Sequence, residues 1–208
     1  MFTYSMESID INEKQYNLSS IEKDCWQRMM NGALQSRNPF HHPVVANTNA
    51  MGVNIRTVVL REACAVEKKL RFYTDIRSGK WAEIQKDKAI SWLFYDNEAR
   101  IQIRASGMAS LHQEDELANH AWANVNPNSR KNYSSLLSPS AEIIVPPDGM
   151  QEPVAIADQK NEVGRENFGV VVSKLLWMEW LWLNPQCHYR ANFIYDEQGD
   201  FTASWLVP

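Results

Sequence analysis

The sequence predicts a mainly β fold, in which the strands close into a barrel and helices pack around it. Six or more runs of β-branched and aromatic residues are bounded by turn residues, which is typical of strands. Helical periodicity is confined to the start and the middle of the chain, without the regular βαβ alternation that a doubly wound sheet needs. The chain also lacks GxGxxG and Walker A sequences, which excludes those glycine loops as phosphate sites.

Length and composition indicate one ordinary globular domain. The chain has 208 residues, enough for a full core. We expect residues 1–18 to form a polar N-terminal tail and residues 19–208 a single domain. The net charge of −4 argues against non-specific nucleic-acid binding, which needs a basic surface.

Targeting and redox signals are sparse. The three cysteines are far apart and odd in number, which argues against a disulfide framework and favours a reducing compartment. Their spacing is also not that of metal ligands. The first residues lack the basic and apolar regions of a signal peptide. The most apolar segment, residues 170–183, is interrupted by charges and is too short to span a membrane. We therefore expect a soluble, cytoplasmic protein with no membrane or nucleic-acid partner.

The first regular element is an amphipathic helix. Ile21, Cys25 and Met29 recur at helical spacing after Ser19 or Ser20, either of which is a suitable N-cap. The helix should end before the proline that follows it, because proline restricts the residue that precedes it.

Strand signals dominate after this helix. We predict strands at residues 44–48, 53–61, 70–74, 89–95, 100–111, 188–195 and 201–207, with two strands within residues 168–183. Short helices are predicted at residues 78–86, 114–122 and 129–137. Residues 138–164 contain four prolines and many polar residues, which predicts a loop or an insertion.

Arg56 and Arg61 flank a short apolar run rich in β-branched residues, which comprises Thr57, Val58, Val59 and Leu60. Guanidinium groups are well suited to phosphate. An offset of five residues places side chains on opposite faces of a regular strand. Both arginines therefore reach one phosphate only if the strand bulges or ends before Arg61. The alternative is one ligand and one surface arginine.

A second motif joins the end of a strand to the start of a helix. Tyr73 and Thr74 end the strand, and Ser78 and Lys80 open the helix. A cation in the first turn opposes the helix dipole by about 0.3–1 kcal/mol, whereas a phosphate bound there would reverse that preference. The alternative for Lys80 is a solvated lysine. The presence of Arg56, Arg61 and Thr74 in the same ordered set of motifs favours the phosphate.

Two further side chains suit the ring system of a flavin. Gln102 lies on the polar face of an alternating strand, and its carboxamide both donates and accepts hydrogen bonds, as the edge of a pyrimidine ring requires. The alternative is an ordinary solvent-facing glutamine. Trp182 precedes the turn into the next strand, where an indole can bound a flavin and donate an N–H.

Taken in order, these runs resemble the FMN-binding split-barrel proteins related to pyridoxamine 5′-phosphate oxidase. The resemblance spans residues 39–208 and is weakest over residues 138–164. It implies a six-stranded split β-barrel and a homodimer with FMN at its interface, acting as an oxidoreductase on a small-molecule substrate or electron donor. No catalytic side chain is assigned, because the flavin performs the chemistry. The cofactor-binding residues that it implies are Arg56, Thr57, Val58, Val59, Arg61, Tyr73, Thr74, Ser78, Lys80, Gln102, Asn128, Ser129, Trp182 and Arg190. Of these, Gln102, Asn128, Ser129 and Trp182 would come from the chain opposite the one that supplies Arg56 and Lys80.

Several positions depart from the vitamin B6 oxidases. Gly79 stands where they carry a second basic residue, and Arg61 where they have lysine. His188 and Arg190, followed by Asn192, replace their Arg-x-His substrate motif and flavin-binding arginine. We therefore expect an FMN-binding oxidoreductase from an uncharacterised branch of the superfamily. The alternatives are an authentic pyridoxamine or pyridoxine 5′-phosphate oxidase and a non-catalytic flavin- or haem-binding module.

Overall fold

The computed structural model describes residues 8–11, 13–144 and 162–208. The fold is mainly β with flanking helices, as predicted, and all strand pairs are antiparallel. A two-stranded sheet comprises β1 (Ile9–Ile11) and β2 (Lys14–Tyr16). The nine-stranded sheet comprises β3 (Val44–Asn49), β4 (Gly52–Thr57), β5 (Glu62–Cys64), β6 (Lys69–Asp75), β7 (Ala89–Asp96), β8 (Ile101–His112), β9 (Phe168–Leu183), β10 (His188–Tyr195) and β11 (Phe201–Leu206). The α-helices are α1 (Leu18–Leu34), α2 (Gly79–Lys86), α3 (Glu116–Ala123) and α4 (Pro127–Arg130).

The large sheet closes on itself through the chain between β4 and β6. One series of pairings runs β4-β3-β7-β8-β9, and β9 also pairs with β6, which pairs with β5. Between β4 and β5, Val58 donates to the carbonyl of Pro43 and Leu60 to that of His41, whereas Arg61 donates to that of Arg71 on β6. This segment therefore connects the residues just before β3 with β6 and completes a barrel. The predicted number of six strands is not confirmed, because the sheet as a whole has nine.

The long strand β9 differs from the prediction of two strands. It runs unbroken for 16 residues and pairs with β6 along its first half and β10 along its second. The register of β9 against β8 shifts between Ser106 and Gly107, which pair with Trp177 and Leu175, so that Leu176 of β9 is the extra residue of a β-bulge. Such a bulge bends the pair, which lets one strand serve two parts of the sheet.

Gly107 is required by this bulge. A β-carbon at this position would overlap the carbonyl oxygen of Lys174. We expect Gly107→Ala to lower the free energy of unfolding by about 1–3 kcal/mol, as overpacking does in well-packed sites. Urea denaturation checks this, with Gly79→Ala as the control, because a β-carbon there has no neighbour closer than 3.9 Å. Equal stability of the two variants would contradict the packing argument.

The first helix begins earlier than predicted. Its N-cap is Asn17 rather than Ser19 or Ser20, and Ser20 completes a reciprocal capping box with it. The helix buries Ile21, Cys25 and Met29 as the periodicity predicted. The segment predicted as a polar tail contains β1 and β2 within its described residues, so it is partly ordered by strand pairing.

The predicted helix at residues 129–137 is wrong in its second half. The helical turns end at Tyr133, and residues 134–137 form no regular element. Pro127 lies at the start of α4, which is capped by the side chain of Asn126, and the 3₁₀ turn Lys131–Tyr133 that follows has no side-chain cap. Residues 138–144 also form no regular element, as the predicted loop requires, while residues 145–161 lie outside the described part of the chain.

Two apolar clusters hold the helices and the sheet together. The larger cluster joins α1 to the barrel interior and includes Trp26, Phe72, Trp92 and Phe94. The smaller cluster packs α3 against the other face of β9, around Phe168. Among the described residues, no helix is long and apolar enough to cross a membrane.

Candidate functional site

A cleft of about 480 Å³ lies where β4, the end of β6 and the start of α2 meet. Six of the predicted cofactor-binding residues line it: Arg56, Thr57, Val58, Tyr73, Ser78 and Lys80. Thr74 lies directly behind this lining, because its hydroxyl accepts a hydrogen bond from Lys80 Nζ at 3.1 Å and is 3.2 Å from Ser78 Oγ. The structure thus brings together residues from β4, from the end of β6 and from the start of α2, the segments that carry the first two motifs.

The start of α2 presents unsatisfied amides to this cleft. Ser78 is the N-cap residue, but its hydroxyl donates to the carbonyl of Asp75 at 2.6 Å and makes no capping bond. Trp81 N–H donates to the carbonyl of Ser78. The amides of Gly79 and Lys80 have no acceptor within the described part of the chain. A helix start with free amides is a ready anion site.

Two cations, Arg56 and Lys80, line the cleft. Burial, followed by the charge of Arg56, lowers the pKa of Lys80, and burial likewise lowers the pKa of Arg56. Both side chains line the same cleft, so one anion bound there would lie near both of them. An anion between them would convert this repulsion into attraction.

Arg61 and Val59 do not line the cleft. Strand β4 ends at Thr57, which meets the condition under which both arginines could serve one phosphate. The guanidinium of Arg61, however, lies over the ring of Tyr73, with its central carbon 5.3 Å from the centroid. Arg61 therefore packs against Tyr73, which lines the cleft, and does not itself line it.

The remaining predicted residues lie elsewhere in the chain. Gln102 is half-buried on β8, where it pairs with Tyr95 and Leu181. Asn128 and Ser129 lie on α4, where Asn128 is exposed and Ser129 half-buried. Their predicted role requires a second chain and stays a prediction.

Trp182 and Arg190 occupy two further clefts. Trp182 is 8% exposed, stacks on Tyr189 with centroids 5.9 Å apart, and lines a cavity of about 160 Å³ beside Ile11 and Tyr16. Arg190 donates to Glu179 Oε2 at 2.7 Å and lines a cleft of about 600 Å³. Within one chain, neither residue contacts the cleft around Lys80.

Several residues of the site were not predicted. Asn54 lines the cleft and lies two residues before Arg56, so the strand period of two already placed it on the same face. Glu83 lies one turn after Gly79, so the helix period could have placed it on the same face of α2 as that residue. Its carboxylate contacts Arg56 at 3.4 Å. Pro139 and Ser140 also line the cleft, and no sequence pattern marks them.

The donor set fits a phosphate monoester. It combines an ammonium, a guanidinium and two helix amides, which are groups that bind phosphate oxygens. Ser78 lies beside them, with its hydroxyl donating to the carbonyl of Asp75. Tyr73 and Val58 add an apolar and aromatic wall, as cofactor clefts of this size usually have. In the described residues, no group of three or more His, Cys, Asp or Glu side chains is placed to hold a metal ion.

Comparison with known proteins bears on the family resemblance. Residues 23–113 match the sequence model of the family described as pyridoxamine 5′-phosphate oxidase, FMN-binding domain. This range contains every residue that lines the cleft from β4, β6 and α2. The predicted resemblance to the FMN-binding proteins related to pyridoxamine 5′-phosphate oxidase is confirmed.

Two solved structures share the fold. A pyridoxamine 5′-phosphate oxidase-related, FMN-binding protein from Nostoc punctiforme PCC 73102 is 19% identical, with a TM-score of 0.69 over 89% of this chain and 96% of that one. PhzG from Burkholderia lata 383, in complex with tetrahydrophenazine-1-carboxylic acid, is 18% identical, with a TM-score of 0.64 over 91% and 92% of the two chains. Comparison with curated proteins found no match.

Proposed function

We propose that the protein is an FMN-binding oxidoreductase of the pyridoxamine phosphate oxidase-like type. The observation that carries this proposal is the convergence of Lys80, Arg56 and the free amides of α2 on one cleft within the matched residues. Arg56, Ser78 and Lys80, with Thr74 behind them, would hold the phosphate. The bound flavin would supply hydride or electron transfer, for which the chain needs no catalytic side chain of its own.

FMN is proposed rather than FAD. The cleft offers its positive charge at one place, which suits a single terminal phosphate, and the sequence carries no adenylate-binding fingerprint. An ultraviolet–visible spectrum of the purified protein should show a flavin, and mass spectrometry of the released cofactor should identify FMN. FAD as the main species would contradict the proposal, and a haem spectrum would favour the haem-binding alternative.

We further propose that the protein acts as a homodimer in the cytoplasm. Gln102, Asn128, Ser129, Trp182 and Arg190 lie away from the Lys80 cleft in one chain, so their proposed contacts with the flavin require a partner chain. Light scattering should give twice the monomer mass. A monomer that binds one FMN per chain would contradict this assembly.

The departures from the oxidase motif bear on the substrate. FMN binding depends on the cleft around Lys80, whereas pyridoxamine phosphate oxidation would also depend on the segment containing His188 and Arg190, which departs from the oxidase motif. We expect turnover assays to show little oxidation of pyridoxamine phosphate, and a parallel assay with NADPH tests the reductase alternative. Efficient oxidation of pyridoxamine phosphate would instead identify a vitamin B6 oxidase.

A further inference from the structure

Glu83 is surrounded by three asparagines, which together form what we call the asparagine cage: Asn47, Asn49 and Asn54. The side-chain amide of Asn47 donates to Glu83 Oε2 at 2.8 Å. That of Asn54 lies 3.0 and 3.1 Å from the two carboxylate oxygens, and that of Asn49 donates to Oε1 at 3.2 Å. Asn47 and Asn54 are cross-strand partners on β3 and β4, so the sheet itself sets this arrangement.

The cage favours the ionised form of the Glu83 carboxyl group. Partial burial would by itself raise the pKa of Glu83, but the hydrogen bonds from the three asparagines and the charge of Arg56 lower that pKa overall. A carboxylate with this many donors is fixed in orientation as well as in charge. It therefore gives a rigid acceptor beside the cleft.

Arg56 is bound by the same cluster. Its Nη2 lies 3.4 Å from Glu83 Oε2, and its Nη1 donates to the side-chain oxygen of Asn47. These two contacts engage both terminal nitrogens and so fix the plane of the guanidinium. A guanidinium has five N–H donors, so three remain for a ligand in the cleft.

We propose that Glu83 is a positioning residue that holds Arg56 in the orientation in which its free donors bind a phosphate. The inference rests on the proposed FMN site and adds a residue to it. Glu83 also offsets the repulsion between Arg56 and Lys80, since it is the counter-ion that contacts the arginine.

For Glu83→Gln, the proposal predicts a change in FMN affinity that is opposite in direction to the change expected from electrostatic repulsion alone. Glu83→Gln removes a negative charge near a bound phosphate, and Coulomb's law alone would then predict tighter FMN binding. The positioning role predicts weaker FMN binding. The side-chain NH₂ of glutamine cannot accept hydrogen bonds from the asparagine amides or from Arg56, so the guanidinium is no longer held in place. We expect FMN affinity to fall about tenfold, the loss of one charge-assisted contact. Riboflavin, which lacks the phosphate, should bind the variant and the wild type equally.

A double-mutant cycle isolates the action through Arg56. In an Arg56→Ala background, Glu83→Gln should leave FMN affinity unchanged or tighten it, because no guanidinium remains to be positioned. Asp87→Asn is the matched control, since it removes a carboxylate at the other end of α2 that contacts Thr48 instead. Weaker FMN binding by the same factor in both backgrounds, or unchanged or tighter binding by Glu83→Gln alone, would overturn the proposal.

A measurement without FMN separates this inference from the proposed function. In the protein without cofactor, the Arg56 Nε–Hε signal in an NMR spectrum should be sharp in the wild type and broadened or lost in Glu83→Gln. Titration with inorganic phosphate should shift this signal at lower concentration in the wild type than in the variant. If the wild type binds no FMN, the proposed function fails and these two readings still decide the role of Glu83. An identical Arg56 signal and phosphate response in both proteins would overturn it.

Discussion

Lys68→Met is expected to lower the free energy of unfolding by about 3–5 kcal/mol, the usual cost of breaking a buried ion pair by removing one partner. Lys68 Nζ lies 2.7 Å from Glu22 Oε1, and the two residues are only 8% and 7% exposed. The ammonium also lies over the ring of Tyr195, 4.9 Å from its centroid. The substitution leaves the Glu22 carboxylate buried without its counter-ion.

The effect is large because this ion pair joins three elements of the fold. Glu22 belongs to α1, Lys68 to the turn before β6, and Tyr195 to the end of β10. The hydroxyl of Tyr195 donates to Glu22 at 3.1 Å and accepts from Trp26 Nε1 at 3.0 Å. Loss of the lysine therefore disturbs a connected network rather than one contact.

The neighbouring lysine provides a matched control. Lys69 pairs with Glu67 at 3.1 Å, but these side chains are 38% and 58% exposed. Lys69→Met should therefore cost no more than about 1 kcal/mol. Urea denaturation of both variants and of Lys68→Met/Glu22→Leu checks the account, and the double variant should recover part of the loss. A cost below about 1 kcal/mol for Lys68→Met would contradict it.

Lys80→Ala is expected to weaken FMN binding about tenfold to a hundredfold, which corresponds to one charge-assisted hydrogen bond of roughly 1.5–3 kcal/mol. The same substitution should leave the protein without cofactor at least as stable as the wild type. The pKa of Lys80 is lowered in the folded state by burial and by Arg56. A lysine with such a shift destabilises the fold at every pH at which it is protonated in the unfolded chain.

The two expected changes have opposite signs, which distinguishes a phosphate ligand from a structural lysine. Fluorescence titration with FMN measures the affinity, and thermal melting without cofactor measures the stability. Lys86→Ala is the control, because Lys86 lies in the last turn of the same helix. Unchanged FMN affinity, or a melting temperature well below that of the wild type, would show that Lys80 has a structural role.

The sequence predicted the elements of this fold better than their lengths. Local alternation located β7 and β8 to within one residue at each end, since both strands have one buried face. It divided β9 in two, because a strand that pairs with β6, β8 and β10 is buried on both faces for much of its length and has no alternation to follow. The closure of the barrel through the segment after β4 depends on backbone hydrogen bonds, which carry no side-chain signal.

The candidate site was predictable where it depends on spacing and unpredictable where it depends on tertiary contact. The predicted helix start placed Lys80 correctly in the first turn of α2. Strand β4 ends before Arg61, which was one of the two conditions under which both arginines could reach one phosphate. The stacking of Arg61 on Tyr73 could not be foreseen, because the two residues meet only when β6 pairs beside the segment after β4. The asparagine cage likewise requires the register of β3 against β4.

The comparison of FMN with riboflavin tests most directly whether this cleft binds the cofactor by its phosphate. The two molecules differ only in that group, so the ratio of their affinities measures what the cleft contributes. We predict that the wild-type protein binds FMN at least about tenfold more tightly than riboflavin and that Lys80→Ala reduces this ratio. Equal affinity of the wild type for the two flavins would contradict the account.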